Sequence, residues 1–212
     1  MPVTEIHERT LHKSSFLSSH QMKGAILPLD VVRVLNRSKI SFVLVGAYGL
    51  AGWRKEGRAT EDVDVVVAAK QVKKAVGILC TAFRQLEAVE LPVVVRLRDR
   101  ETQDVVIDVM KPIQPPYRDV FKHTRLIESE GQAYRIPTLE MAIVMKFAAM
   151  SSLYRADEDK FRDAHDFIRI VKNNPDFDKQ KVADLGALIY PDGGKDALEL
   201  ARKVLAGEKL II

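Results

Sequence analysis

Residues Asp62 to Ala68 read DVDVVVA. The valine run demands a strand, because β-branched side chains sit well on a pleated surface and lose freedom in a helix. It nevertheless opens with two acids, Asp62 and Asp64, at a spacing that turns both carboxylates to the same side. Two like charges held together are unfavourable unless a positive group sits between them. Arg54, Lys55 and Arg58 are close in sequence and could supply that charge. A divalent cation such as magnesium, which prefers oxygen ligands and keeps positions open for phosphate, is the other solution.

The flanking sequence narrows the choice. Ile40 to Val45 is a short apolar run ending at Gly46, and Ala47 to Trp53 has small and apolar residues at helical spacing. The order is strand, glycine turn, helix. A glycine here lets an anion approach the backbone N–H groups of Gly46 and Ala47 at the helix start. Trp53, the only tryptophan, is expected to pack in a core rather than stack on a base. Gln71 to Gln85 carries a helical stripe of Val72, Ala75, Val76, Leu79 and Phe83, with Cys80 expected in the core. Val93 to Leu97 and Val105 to Met110 read as strands joined by a turn over Arg98 to Asp104. The second of these, VVIDVM, places Asp108 inside an apolar run. A carboxylate buried alone costs several kcal/mol, so its expected place is beside Asp62 and Asp64. Three carboxylates on neighbouring strands suit two-metal phosphoryl transfer.

Residues 1 to 24 are polar and are expected to form a loosely ordered lead-in holding at most a short element. Leu27 to Asn36 predicts a helix, Tyr117 to Ile127 another, and Tyr134 to Ile136 a last short strand. From Thr138 the pattern is helical. Thr138 is an N-cap for a helix through Met150, with Glu140 in its first turn. Helices follow over Asp159 to Val171, Lys179 to Leu188 and Asp196 to Leu205. The expected organisation is therefore an α+β fold, with a lead-in over 1–24, an α/β core over 25–137 and a helical lobe over 138–212. The chain has 212 residues, net charge +4 and pI about 9.1, compatible with a polyanionic partner without requiring one. It has one cysteine and no long apolar run at its start, which sets the expectation of a cytoplasmic protein without a disulfide or membrane anchor.

The segment VGAYGLAGWRKEGRATEDVDVVV resembles the signature of the DNA polymerase β-like nucleotidyltransferases: an apolar strand, Gly followed by Gly or Ser, then Asp-x-Asp, with a third acid on a later strand. The stretch Arg58 to Asp64, RATEDVD, is similar to the form seen in AbiEii-type toxin nucleotidyltransferases. IPTLEMAIVMKFAAM, then Arg155 and RDAHD, resembles that family's lysine-bearing helix and its D-x-x-D. The resemblance spans roughly Phe42 to Ile170. It implies a short mixed sheet flanked by helices, and transfer of a nucleotide from an NTP to an acceptor hydroxyl on tRNA or protein, in a toxin–antitoxin setting. It further implies two magnesium ions on Asp62, Asp64 and Asp108, and Lys146 reaching the triphosphate from a cleft between sheet and helices. Asp163 and Asp166 would orient that lysine. Arg58 would touch the nucleotide and Thr60 would bond near the acids. One departure stands out. The residue after Gly46 is Ala47, which has no hydroxyl for a phosphate, and this opens the alternative of a catalytically inactive binding or antitoxin-like module.

Overall fold

The valine run of β2 (Val63–Val67) lies in the interior of a seven-stranded mixed sheet. The structure, a computed structural model, describes residues 4–12, 26–58 and 60–210. The other strands are β1 (Phe42–Leu44), β3 (Leu86–Glu90), β4 (Val94–Asp99), β5 (Val105–Met110), β6 (Thr124–Ser129) and β7 (Gln132–Pro137), and the order is β3-β4-β5-β2-β1-β7-β6. β2 runs parallel to β5 and β1 parallel to β7; the remaining pairs are antiparallel. Val63, Val65 and Val67 pack in one cluster with Leu44, Leu97, Ile107 and Val109 of the sheet, and with Leu35 of α2 (Pro28–Arg37) and Leu79 of α5 (Val72–Ala82). By strand alternation, Asp64 and Asp108 face the other way. Cys80 is half-buried against the same cluster. A helix over residues 4–12, α1, adds Leu11 to it.

The chain divides into two compact units. One runs to Gly52 and resumes over Glu56–Pro137; the other takes Trp53–Lys55 and everything from Thr138 onward. The expected helix over Ala47 to Trp53 is two short pieces, α3 (Gly46–Gly49) and α4 (Ala51–Arg54). The second unit is built on α6 (Leu139–Met150), α7 (Asp157–Asn173), α8 (Lys179–Gly186) and α9 (Gly193–Ala206). Thr138 caps α6 by accepting from the Met141 N–H at 3.4 Å. Every residue from Met141 to Phe147 is buried, so α6 is enclosed on all sides.

One strand was missed and one expected helix fails. Leu86 to Glu90 carries no strand signal, yet it pairs along its whole length with β4. The helix expected over Tyr117 to Ile127 is instead a single 3-10 turn, Val120–Lys122, followed by β6. β6 and β7 close through Glu130 and Gly131, both at positive φ, the two-residue geometry that matches strand twist. That hairpin overrides the weak helical spacing before it. In the lead-in, residues 4–12 are helical and His7 is buried, its Nδ1 accepting from the Gly52 N–H at 3.3 Å. His12 lies 3.6 Å from Glu130, and His20 is outside the described residues.

Candidate active site

Asp64 and Asp108 are direct partners in the parallel β2–β5 register. Asp62 stands one residue ahead of β2, so the i, i+2 spacing returns its carboxylate to the same place. Each of the three offers an oxygen, and these atoms lie within 4.8 Å of one another. Asp108 is buried at 8 % exposure, while Asp62 and Asp64 are half-buried. The Thr60 hydroxyl donates to Asp62 Oδ1 at 2.7 Å, which fixes that carboxylate. Arg58 is half-buried. The donor set fits magnesium: three hard oxygens, converging, at a density of negative charge that a divalent cation relieves.

Gly46 follows β1 and starts α3 with φ +58°. A Cβ there would fall 1.8 Å from Asp64 Oδ2. The glycine is therefore required by the carboxylate beside it as well as by its backbone conformation. Val45, just ahead, donates its N–H to the Asp64 carbonyl at 2.9 Å, which ties the turn to β2. The Ala47 methyl is buried at 3 % exposure. Across the sheet the order is thus Gly46, Asp64, Asp108, and then Arg96 of β4, which pairs with Asp108 in register and brings Nε to 3.6 Å of its Oδ1.

The second unit holds the remaining predicted residues. Lys146 Nζ lies 2.7 Å from Asp163 Oδ1 and 2.8 Å from Asp166 Oδ2. Burial alone would lower the lysine pKa, but Asp166 and Asp163 outweigh it and hold the pKa above the ordinary value. Arg155 Nε meets Asp163 Oδ2 at 2.6 Å, and the buried Arg54 meets Asp166 Oδ1 at 2.9 Å. The alternative in which Arg54 and Lys55 supply charge to Asp62 and Asp64 gives way to other partners for both. Arg54 serves Asp166, and Lys55 Nζ donates to the Asn173 carbonyl. Asn173 and Asn174 in turn donate to the carbonyls of Arg54 and Trp53. Trp53 is buried, as packing requires. Sequence reasoning missed Arg96 and the role of Arg54. The first was within reach of a register count back from the hairpin turn; the second joins residues more than a hundred positions apart and left no local signal.

A mixed sheet with paired acids on parallel inner strands, a third acid ahead of them and a glycine turn against the second defines a nucleotidyltransferase fold. Residues 31–209 match the family model described as nucleotidyl transferase AbiEii toxin, type IV toxin–antitoxin system, and the chain belongs to that family. No curated protein matches the sequence. Among solved structures it is similar to an antigenic nucleotidyltransferase-like protein from Paracoccidioides brasiliensis, with TM-score 0.50 and 17 % identity over 90 % of this chain and 92 % of that one. It is also similar to the antibiotic-resistance factor ANT(2'')-Ia, with TM-score 0.49 and 11 % identity over 73 % and 84 % of the two chains. A putative nucleotidyltransferase from Thermotoga maritima matches with TM-score 0.36 and 14 % identity over 53 % and 75 %. At 17 % identity the likeness to the first of these concerns the fold. Among the described residues no helix is long and apolar enough to cross a membrane.

Proposed function

We propose that this protein transfers a nucleoside monophosphate from an NTP to an acceptor hydroxyl, on tRNA or on a protein, within a cytoplasmic toxin–antitoxin system. The observation that carries this reading is the convergence of Asp62, Asp64 and Asp108 within 4.8 Å beside Gly46. In the reaction the acceptor oxygen bonds to the α-phosphorus, the α–β phosphoanhydride breaks and pyrophosphate leaves. Two magnesium ions held by the three aspartates would supply charge neutralisation and a more acidic acceptor hydroxyl. Asp62, kept in place by Thr60, and Asp64, wedged against Gly46, hold the ion-binding oxygens rigid. Asp108 accepts the acceptor proton at a carboxylate oxygen. The backbone of Gly46 and Ala47 receives the phosphates, and Arg58 contacts the nucleotide. Lys146 neutralises the triphosphate from a network whose three bases outnumber its two acids.

Thermal unfolding with each NTP and magnesium tests this. One NTP should raise Tm, Asp62→Ala should abolish the rise, and labelled NTP should be incorporated into RNA or protein. No rise with any NTP would sink the reading. Ala47 favours a second one, a quiet family member that binds nucleotide without transfer. Its mark would be a Tm rise with no label incorporated.

A further inference from the structure

Two features of the chain are uncovered among the described residues, and they complement each other. The first is a groove of about 640 Å³ between α2 and α5, on the side of the sheet away from the three aspartates. Val34, Gly77 and Ile78 give it an apolar floor, and the exposed Arg37, Lys73 and Lys74 border it. Both lysines stand in the first turn of α5, where the helix dipole favours acids instead. Among the described residues no carboxylate lies within ion-pair distance of these three bases. Glu90 feels the charge of Lys73 but is held by Lys111 at 3.0 Å. Gly77 stands inside α5, where glycine weakens a helix. No packing in the described chain requires it, since a Cβ there would meet nothing within 4 Å. It keeps the groove open toward solvent.

The second feature projects into solvent. The turn from α6 to α7, with the start of α7, carries Leu153, Tyr154 and Phe161 at 89 %, 100 % and 65 % exposure. These are the most exposed large apolar residues among those described. One such residue is ordinary; three in a short stretch mark a contact surface. Glu158 lies one helical turn before Phe161 on the same face and has no ion pair among the described residues. Its neighbours Asp157 and Asp159 are within 3.5 Å of Lys160 and 3.3 Å of Arg162. The groove thus offers unpaired cations around an apolar floor, with no aromatic ring in its lining to stack a base. The turn offers apolar side chains and an unpaired acid. We infer that the α6–α7 turn of one copy docks in the α2–α5 groove of a second copy, its aromatic rings on Gly77 and Ile78 and Glu158 among the bases. Such a contact is heterologous, so copies add head to tail into a ring or a filament. Three large side chains cover roughly 500 Å², less than the ~800 Å² that each partner gives to a standard interface. The assembly is therefore weak and concentration-dependent. It uses none of Asp62, Asp64, Asp108 or Lys146 and stands apart from the nucleotidyltransferase reading.

Sedimentation of the full chain between about 10 μM and about 1 mM tests this. The sedimentation coefficient of wild type should rise with concentration. Gly77→Leu fills the groove and favours the helix, so it should keep Tm at or above that of wild type and remain monomeric. Lys73→Glu with Lys74→Glu is a second groove variant and should weaken association at least about tenfold. Tyr154→Ser with Phe161→Ser, which leaves the groove intact, should also be monomeric alone. The decisive sample is an equimolar mixture of the Gly77→Leu and Tyr154→Ser/Phe161→Ser variants. One intact turn then meets one intact groove, so the mixture should form a complex that stops at two copies. A wild type that is monomeric throughout overturns the inference. So do oligomers that persist in both groove variants, or a mixture no larger than its components. Single-stranded RNA that binds wild type but not the groove variants, with no pairing in the mixture, would assign the groove to a nucleic acid and overturn it equally.

Discussion

Two groups of aspartates in this chain face opposite problems. In the helical unit, Asp163 and Asp166 are almost fully buried, and each lies within 2.6–2.9 Å of two bases. On the sheet, Asp62, Asp64 and Asp108 are crowded against one another, and the arginine beside Asp108 stops at 3.6 Å. The first group has its counter-charges built into the chain and needs nothing from solution. The second concentrates negative charge where the fold could have spread it. Deep burial between paired bases marks the first group as a holding network, while the convergence of three carboxylate oxygens within 4.8 Å marks the second as a place that a cation fits, even though both are made from the same residue type.

The sharpest break in that contrast is Asp166→Ala. Removing one acid leaves Lys146 and Arg54 buried with their charge partly uncompensated. The expected cost is about 3–5 kcal/mol, read as a fall in denaturant midpoint at constant slope. A change under ~1 kcal/mol would mean that the network is solvated and that its geometry does not hold Lys146.

A third arrangement is a buried base without a counter-charge. His7 sits beneath Gly52, 6.0 Å from the Tyr134 ring, with its Nε2 unpartnered among the described residues, and burial lowers its pKa from 6.5 to about 4. The unfolded chain takes up a proton first as pH falls. Stability from the neutral histidine is thus fully present above pH 6.5 and is lost between 6.5 and 4. The full difference amounts to about 3 kcal/mol. Urea unfolding at both ends of that window should show wild type losing about that much more than His7→Gln. Identical pH profiles would show that His7 is not held neutral in the fold.

These arrangements differ in how far the sequence announced them. β2 and β5 were legible because valine runs broken by an acid have few alternative environments. The triad followed, since only adjacency explains Asp108 within an apolar strand. LEAVE over 86–90 was illegible because leucine, glutamate and alanine favour helix, and its strand state comes from pairing with β4. The Lys146 helix was visible through its Thr138 cap, whereas the Arg54–Asp166 pair depends on residues that only the folded chain brings together. Arg96 looked like part of a strand and nothing more. Its place beside the acids emerged only from the register that sets it against Asp108.

The smallest effect is the most direct probe of the crowded acids. With chelator present, Asp64→Asn should leave stability within about 1 kcal/mol of wild type, or raise it, because the substitution relieves repulsion and keeps the shape beside Gly46. Magnesium should then reverse the ranking. At ten times its dissociation constant the ion stabilises wild type by about 1.4 kcal/mol, and the variant, short of one charged ligand, should respond less. A calcium or magnesium titration followed by thermal unfolding reads both halves of the prediction. If Asp64→Asn is strongly destabilised without metal, the triad is a structural network like Asp163 and Asp166. If wild type and variant respond alike to the ion, the cation binds elsewhere and the contrast between the two aspartate groups loses its chemical meaning.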